Sequence, residues 1–171
     1  MKVQNAFLGF AASLALALAA TGATAGTVTA TAPVSVTILA PVTVAAVQGL
    51  DFGMVTRPAN ANSNTVSMDP SGNVTVTGSG DGTHLAGGVT AAKFNIAGDA
   101  GIAYSTTQSL TFGQAGLTNI TASSPAATNG ALGVIPASGS QEIRLGGSFD
   151  VSAASPIQSY SGVLTVTVSY N

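Results

Sequence analysis

The segment Gly162 to Asn171 constrains the fold most strongly, because apolar and polar residues alternate along it. Successive side chains of a β-strand point to opposite faces, so this pattern predicts a strand with one face on a core. The predicted core face carries Leu164, Val166, Val168 and Tyr170. A strand edge this complete favours pairing with a further strand.

A second alternating run lies between Thr27 and Ile38. Its apolar face consists of Val28, Ala30, Ala32, Val34, Val36 and Ile38. The run is either the first strand of its own sandwich or a donor strand that pairs with a neighbouring copy. We therefore separate an N-terminal strand at residues 26–40 from a β-sandwich domain at 41–171, and we assign both alternating faces as candidate strand-exchange residues.

The beginning of the chain predicts export. Met1 and Lys2 precede an apolar stretch from Ala6 to Ala20, and Ala23 and Ala25 fit the small-x-small rule of a secretory cleavage site. The stretch is 15 residues long, whereas a membrane-spanning helix needs roughly 20. Residues 1–25 are expected to be a signal peptide, followed by a mature chain without a membrane span. The protein is expected to pass through the periplasm to the cell surface or the medium.

Composition narrows the class of protein and its partners. Only 6% of residues are charged, and no basic cluster could neutralise a phosphate backbone, so nucleic acid is not an expected partner. A hydrophobic content of 46%, rich in Val, Ile and Thr, is the opposite of a disordered composition. The chain contains no cysteine, which excludes disulfides and thiol catalysis.

Short alternating runs separated by Gly, Asn, Ser and Pro predict an all-β antiparallel sandwich. Asp69 to Gly72 separates two such runs and predicts a hairpin loop. Gly146 with Gly147 is expected to allow a turn. The predicted strands are Val28 to Ile38, Val42 to Val47, Leu50 to Val55, Thr65 to Met68, Asn73 to Thr77, Ala91 to Ile96, Ala103 to Thr106, Leu110 to Phe112, Thr118 to Ala122, Glu142 to Leu145, Ser148 to Val151 and Gly162 to Tyr170.

The sequence offers no constellation for catalysis. No serine has glycine two residues away on both sides, so a nucleophile elbow is absent. The only histidine, His84, lies in the Gly-rich loop Gly78 to Gly88 and is expected to be a solvated turn residue. Asp51 is expected to turn the backbone rather than act as an acid or base. We predict a non-enzymatic protein without catalytic, cofactor-binding or metal-binding residues.

Two motifs carry a family resemblance. Leu50-Asp51-Phe52-Gly53, together with the ending from Tyr160 to Asn171, resembles an uncharacterised family of exported bacterial β-sandwich proteins. That family is similar in turn to spore-coat U type subunits of archaic chaperone–usher pili. The resemblance implies an immunoglobulin-like sandwich that lacks one strand. A periplasmic chaperone would complete it first, and then the N-terminal extension of the next subunit. Pro33 and Pro41 depart from an ideal donor, because each lacks a backbone N–H.

Two functions follow as alternatives. The first is a pilus-like or fimbria-like fibre subunit that assembles with its own copies, with the help of a chaperone and an outer-membrane usher. The second is a self-complete secreted binding module, an adhesin or carbohydrate-binding protein, whose loops Gly78 to Gly88 or Ser123 to Gly139 contact a ligand. The absence of Trp and the presence of only three Tyr leave few aromatic platforms for sugars.

Overall fold

The structure is a computed structural model that describes residues 26–85 and 87–171. The predicted signal peptide lies outside the described residues. The chain divides into two units, Met1–Val36 and Thr37–Asn171. In the described part of the first unit, residues 26–36, no strand is formed and the side chains are exposed. The predicted strand from Val28 to Ile38 is therefore not formed within the single chain, because a strand requires a ladder with a neighbour.

In the second unit, every regular element of the described residues is a β-strand. Among the same residues, no helix is long and apolar enough to cross a bilayer. The strands are β1 (Thr43–Gln48), β2 (Met54–Val55), β3 (Ser63–Met68), β4 (Val74–Gly78), β5 (His84–Leu85), β6 (Ala92–Ala97), β7 (Tyr104–Phe112), β8 (Thr118–Ala122), β9 (Ala126–Ala127), β10 (Ser140–Leu145), β11 (Gly147–Ser152) and β12 (Gly162–Tyr170).

All strand pairs are antiparallel, which confirms the predicted all-β antiparallel sandwich. One sheet has the order β1-β6-β10-β9, and a second has the order β4-β3-β11-β8. Strands β7 and β12 form a long ribbon, and β2 with β5 forms a short one. The predicted hairpin is also confirmed, because the Gly72 N–H donates to the Asp69 carbonyl between β3 and β4.

Gly146 and Gly147 lie where the chain passes from one sheet to the other. Strand β10 pairs with β6 in the first sheet, and β11 pairs with β3 and β8 in the second. A Cβ on Gly146 would overlap the carbonyl of Met68, and one on Gly147 would press on Thr121 and Leu110. Neither glycine is among the residues with positive φ. The predicted turn is therefore a close crossing of backbones that only glycine permits.

The core consists of two apolar clusters rather than one. The first lies between β6, β10 and the β7–β12 ribbon, and the second lies between β3, β11 and the other end of β7. Leu50 and Leu164 contact both clusters and are only half-buried. Six bulky side chains are buried in these clusters: Phe52, Phe94, Ile143, Leu145, Phe149 and Val166. The space between the two clusters is therefore left partly uncovered.

Candidate functional site

A groove with a volume of about 1060 Å³ opens beside Leu50 and Leu164, and its lining combines apolar residues with polar ones such as Asp51 and Arg57. The second half of β1 and the first half of β12 line its two sides. Its inner surface is formed by Phe94, Leu110 and Phe149, which belong to the core clusters. The groove therefore exposes part of the sandwich interior.

Aromatic rings form a continuous wall along this groove. Phe52 packs edge-to-face on Phe149, with ring centroids 5.0 Å apart, and Phe112 packs on the same ring at 5.6 Å. Tyr160 continues the row by packing on Phe112 at 6.4 Å. Edge-to-face pairs lock the rings in place beyond what buried area alone provides. The wall is therefore a preformed apolar surface.

Strand β12 contributes an open edge. The Asn171 N–H donates to the Ala103 carbonyl, and the Gly113 N–H donates to the Ser161 carbonyl. Because bonded residues alternate in an antiparallel ladder, the odd-numbered residues of β12 bond to β7. The N–H and C=O groups of the even-numbered residues point away from β7, and these residues are Gly162, Leu164, Val166, Val168 and Tyr170. Strand β7 is the only partner of β12 in the described chain.

Strand β1 contributes the opposite edge. The Gly98 N–H donates to the Gly139 carbonyl, so the odd-numbered residues of β6 point toward β1. Thr43 and Ala45 bond to them, which leaves the backbone groups of Val44 and Ala46 directed away from β6. A bulge between Ala46 and Gln48 ends this regular edge. No ladder joins β1 to β12 within residues 37–85 and 87–171.

The two open edges lie close together at one end and border the groove at the other. Thr43, at the start of β1, pairs with Ala97, and the N–H of nearby Asp99 donates to the Tyr170 hydroxyl at 3.0 Å. The start of β1 and the end of β12 therefore lie close together. At the far end, Ala46 and Gly162 both line the groove. The strands thus run in opposite directions along a space that no strand of this unit fills.

The predicted site residues of β12 lie along this edge. Val166 is buried, and Leu164, Val168 and Tyr170 are half-buried against the first cluster. The other predicted face is exposed throughout, its Val and Ile residues range from 84% for Val36 to 96% for Val34, and none of its residues belongs to a strand. These exposed residues are Val28, Ala30, Ala32, Val34, Val36 and Ile38.

Sequence reasoning missed the β1 edge and the aromatic wall. Val44 and Ala46 lie in a predicted ordinary strand, and their exposure, despite pairing with the buried residues Ile96 and Phe94, appears only in three dimensions. Phe52 was noted as part of a motif without a role in a groove. The Leu50-Asp51-Phe52-Gly53 pattern was the available signal, because it sets two large apolar residues beside a turn.

The polar residues considered for catalysis have structural contacts. The Asp51 carboxylate accepts the Gly53 N–H at 2.8 Å, which confirms its predicted role in turning the backbone, and Gly53 has a φ of 70°. His84 lies in β5, and its Nε2 is 3.0 Å from the Phe52 carbonyl oxygen. It is thus bonded rather than fully solvated, and the prediction of a solvated turn residue is wrong.

The two loops considered for ligand binding are also tied to the sandwich. The Asp81 carboxylate accepts the N–H groups of Asn60 and Ala59, which lowers its pKa below the usual value. In the second loop, Ile135 is fully buried, and the Gln141 amide donates to the Asn129 carbonyl at 2.6 Å. The second loop therefore contributes Ile135 to the first core cluster.

The comparisons with known proteins give one match. No curated protein and no solved structure matches the chain significantly. A family model described as "Domain of unknown function (DUF4402)" matches residues 42–170. This span includes all twelve strands, both open edges and the groove between them. The chain therefore belongs to the DUF4402 family.

Proposed function

We propose that this protein is a non-enzymatic, exported structural subunit that builds a pilus-like fibre by β-strand complementation. The segment Val28 to Ile38 of one copy occupies the groove of another. The observation that carries the proposal is the groove, with its wall of aromatic rings, between two strand edges whose free backbone groups have no partner within the described sandwich. Such an edge pair recognises an extended peptide through backbone hydrogen bonds, and pockets select alternate side chains.

The segment has the length that the groove requires. An extended strand rises about 3.3 Å per residue, so the 12 residues from Thr27 to Ile38 span roughly 40 Å. The nine residues of β12 span roughly 30 Å. A donated segment is therefore longer than the part of β12 that borders the groove, Gly162 to Leu164.

The segment also has the required chemistry. One face carries only Ala, Val and Ile, which suits a groove walled by Phe and Leu. The segment contains no charged residue, so it can enter the groove without burying an unpaired charge. Burying its large exposed side chains would stabilise the complex, at about 25 cal/mol for each Å² of apolar surface removed from water.

The cellular setting belongs to the same proposal. The signal peptide predicted from the sequence supports export, and the resemblance of the two end motifs to spore-coat U type subunits supports a periplasmic chaperone and an outer-membrane usher as partners. A subunit with an open groove would need such a chaperone, because exposed apolar surface and unpaired strand edges promote aggregation. The proposed destination is the cell surface.

The proposal is tested by deleting Thr27 to Ile38 and adding the segment back as a free peptide. The truncated protein should remain folded or depend on a chaperone, and it should not form oligomers. Saturating peptide should raise its melting temperature, by roughly 10 °C at a hundredfold excess over Kd. Differential scanning fluorimetry and size-exclusion chromatography with light scattering measure these two effects.

Two variant peptides give a matched control. Val34→Asp puts a charge on the apolar face, and Ser35→Asp puts the same charge on the opposite face one residue away. The first should lose binding and the second should retain it. Equal binding by both peptides, or no thermal shift with the native peptide, would overturn the proposal. In that case the groove would be a site for another apolar ligand, and the self-complete binding module would be favoured.

A further inference from the structure

Two of the few cationic side chains of this protein lie directly opposite each other on one sheet. Three of the four Lys and Arg residues are among the described residues, and two of these three are Lys93 and Arg144. Lys93 of β6 and Arg144 of β10 are partners in the ladder. Because the Gly98 N–H donates to the Gly139 carbonyl, Lys93 and Arg144 form a non-hydrogen-bonded pair, the kind in which facing side chains are closest.

This pairing of like charges is not explained by stability. Like charges directly opposite each other destabilise a sheet. Glu142 offsets only one of the two charges, because its carboxylate lies 3.2 Å from the Arg144 Nε. The Arg144 Nη groups and the Lys93 ammonium have no hydrogen-bond partner among the described residues. The pair therefore keeps one unbalanced positive charge together with free N–H donors.

The side chains around the pair leave it accessible from outside the sandwich. Lys93 and Arg144 are half-buried and alternate along their strands with buried residues, so they point away from the core. Asn95, the next residue on this face of β6, is exposed. Ala126 of β9, the partner of Arg144, is small and also exposed. The outer face of this sheet thus presents two cations beside an amide and a small residue.

From this arrangement we propose that Lys93 and Arg144 bind the carboxylates of an acidic polysaccharide built from uronate units. A guanidinium group holds the two oxygens of a carboxylate in a fork, and the ammonium of Lys93 adds a point charge beside it. One unbalanced positive charge matches a singly charged carboxylate, whereas a doubly charged phosphate would keep a charge unpaired. The Asn95 amide supplies donors and an acceptor for the hydroxyls of the same sugar.

A second copy of this chain does not offer a free side-chain carboxylate to this pair. Each of the six acidic side chains already accepts a hydrogen bond within its own copy, and these acceptors are Asp51, Asp69, Asp81, Asp99, Glu142 and Asp150. The partner is therefore a different molecule. The site does not depend on strand complementation, because it lies on an outer face whereas the groove exposes the interior.

Isothermal titration calorimetry of the full-length secreted protein with trigalacturonate tests the site. Lys93→Gln and Arg144→Gln should each weaken binding by roughly fivefold, the upper range for one exposed ion pair. Lys93→Arg keeps the charge and should bind like the wild type. Ser109→Asp is the matched control, because it lowers the net charge by the same amount at an exposed position of β7 and should retain binding. The uncharged methyl ester of trigalacturonate should not bind.

A thermal measurement separates a ligand site from a structural role. Lys93→Gln should not lower the melting temperature, because it removes a pair of like charges. No binding by the wild type, equal binding of the methyl ester, or unchanged affinity of both Gln variants would each overturn the proposal. Tighter binding of inorganic phosphate than of trigalacturonate would assign the pair to phosphate and would also overturn the uronate site. None of these results bears on strand complementation, which the peptide experiment tests.

Discussion

At the residue scale, two glutamines with buried polar atoms show that the same residue type contributes differently to stability, depending on its hydrogen bonds. Gln141 is fully buried, accepts a hydrogen bond from the Tyr104 hydroxyl, and donates to the carbonyls of Asn129 and Ala131. The side-chain oxygen of Gln108 is also buried, but it has no hydrogen-bond partner among the described residues. The two glutamines should therefore respond oppositely to the same substitution.

Gln141→Leu should lower the free energy of unfolding by about 3 kcal/mol or more, because it leaves the Tyr104 hydroxyl and two carbonyls without partners. Gln108→Leu should be neutral or stabilising by about 1 kcal/mol, because it removes an unsatisfied acceptor. Urea unfolding monitored by circular dichroism measures both. A larger loss for Gln108→Leu than for Gln141→Leu would contradict this assignment.

Tyr104 should make stability depend on alkaline pH. Burial of its ring raises the pKa of the hydroxyl above its usual value of 10.0. A group whose folded pKa is raised stabilises the native state fully below the unfolded pKa, and the contribution is lost as pH rises through the folded value. The melting temperature should therefore fall above about pH 10. Tyr104→Phe should be less stable than the wild type at neutral pH, because it leaves the Gln141 oxygen unpaired. Its melting temperature should fall less steeply with alkaline pH. An equally steep fall in both proteins would assign the effect to other groups.

At the scale of the element, β12 has one covered and one open face. Val166 is buried, whereas Val163, on the opposite face of the same strand, is 63% exposed. Val166→Asp should lower the free energy of unfolding by about 3 kcal/mol or more, because it buries an unpaired charge. Val163→Asp should change it by less than about 0.5 kcal/mol. Urea unfolding of the two variants gives the comparison, and tolerance of Val166→Asp would show that this strand is not packed.

Strands with clear alternation of apolar and polar residues could be predicted from the sequence. Whether two neighbouring runs merge into one strand could not. The predicted strand Gly162 to Tyr170 is observed with the same bounds. The two predicted strands at Ala103 to Thr106 and Leu110 to Phe112 are joined, from Tyr104 onward, in the single strand β7. Polar residues such as Gln108 interrupt the apolar pattern of this strand in the sequence. Within the predicted strand Leu50 to Val55, only Met54–Val55 forms a strand, because the Asp51 turn and the positive φ of Gly53 bend the chain.

At the scale of the whole molecule, the low charge of the chain shapes the proposed assembly. The Thr27–Ile38 peptide carries no side-chain charge. If both ends are blocked, its Kd for the truncated protein should change by less than about twofold between 0.05 and 0.5 M NaCl, because screening acts only on charges. Sodium sulfate should tighten binding, because it strengthens apolar burial. Binding that weakens steeply with NaCl, measured by fluorescence anisotropy, would point to an ionic ligand site instead.

The fold class and the inward face of most strands could be predicted from the amino-acid sequence, because the period of two in apolar residues acts locally along the chain. It also marked the segment Val28 to Ile38 as a strand without saying what it pairs with. That β1 and β12 border an open groove becomes visible only in three dimensions, since register and sheet order depend on contacts between residues far apart in sequence. The contact of Asp99 with Ala40 likewise depends on the tertiary structure. The two residues are 59 positions apart, and no local sequence pattern predicts a hydrogen bond at that separation.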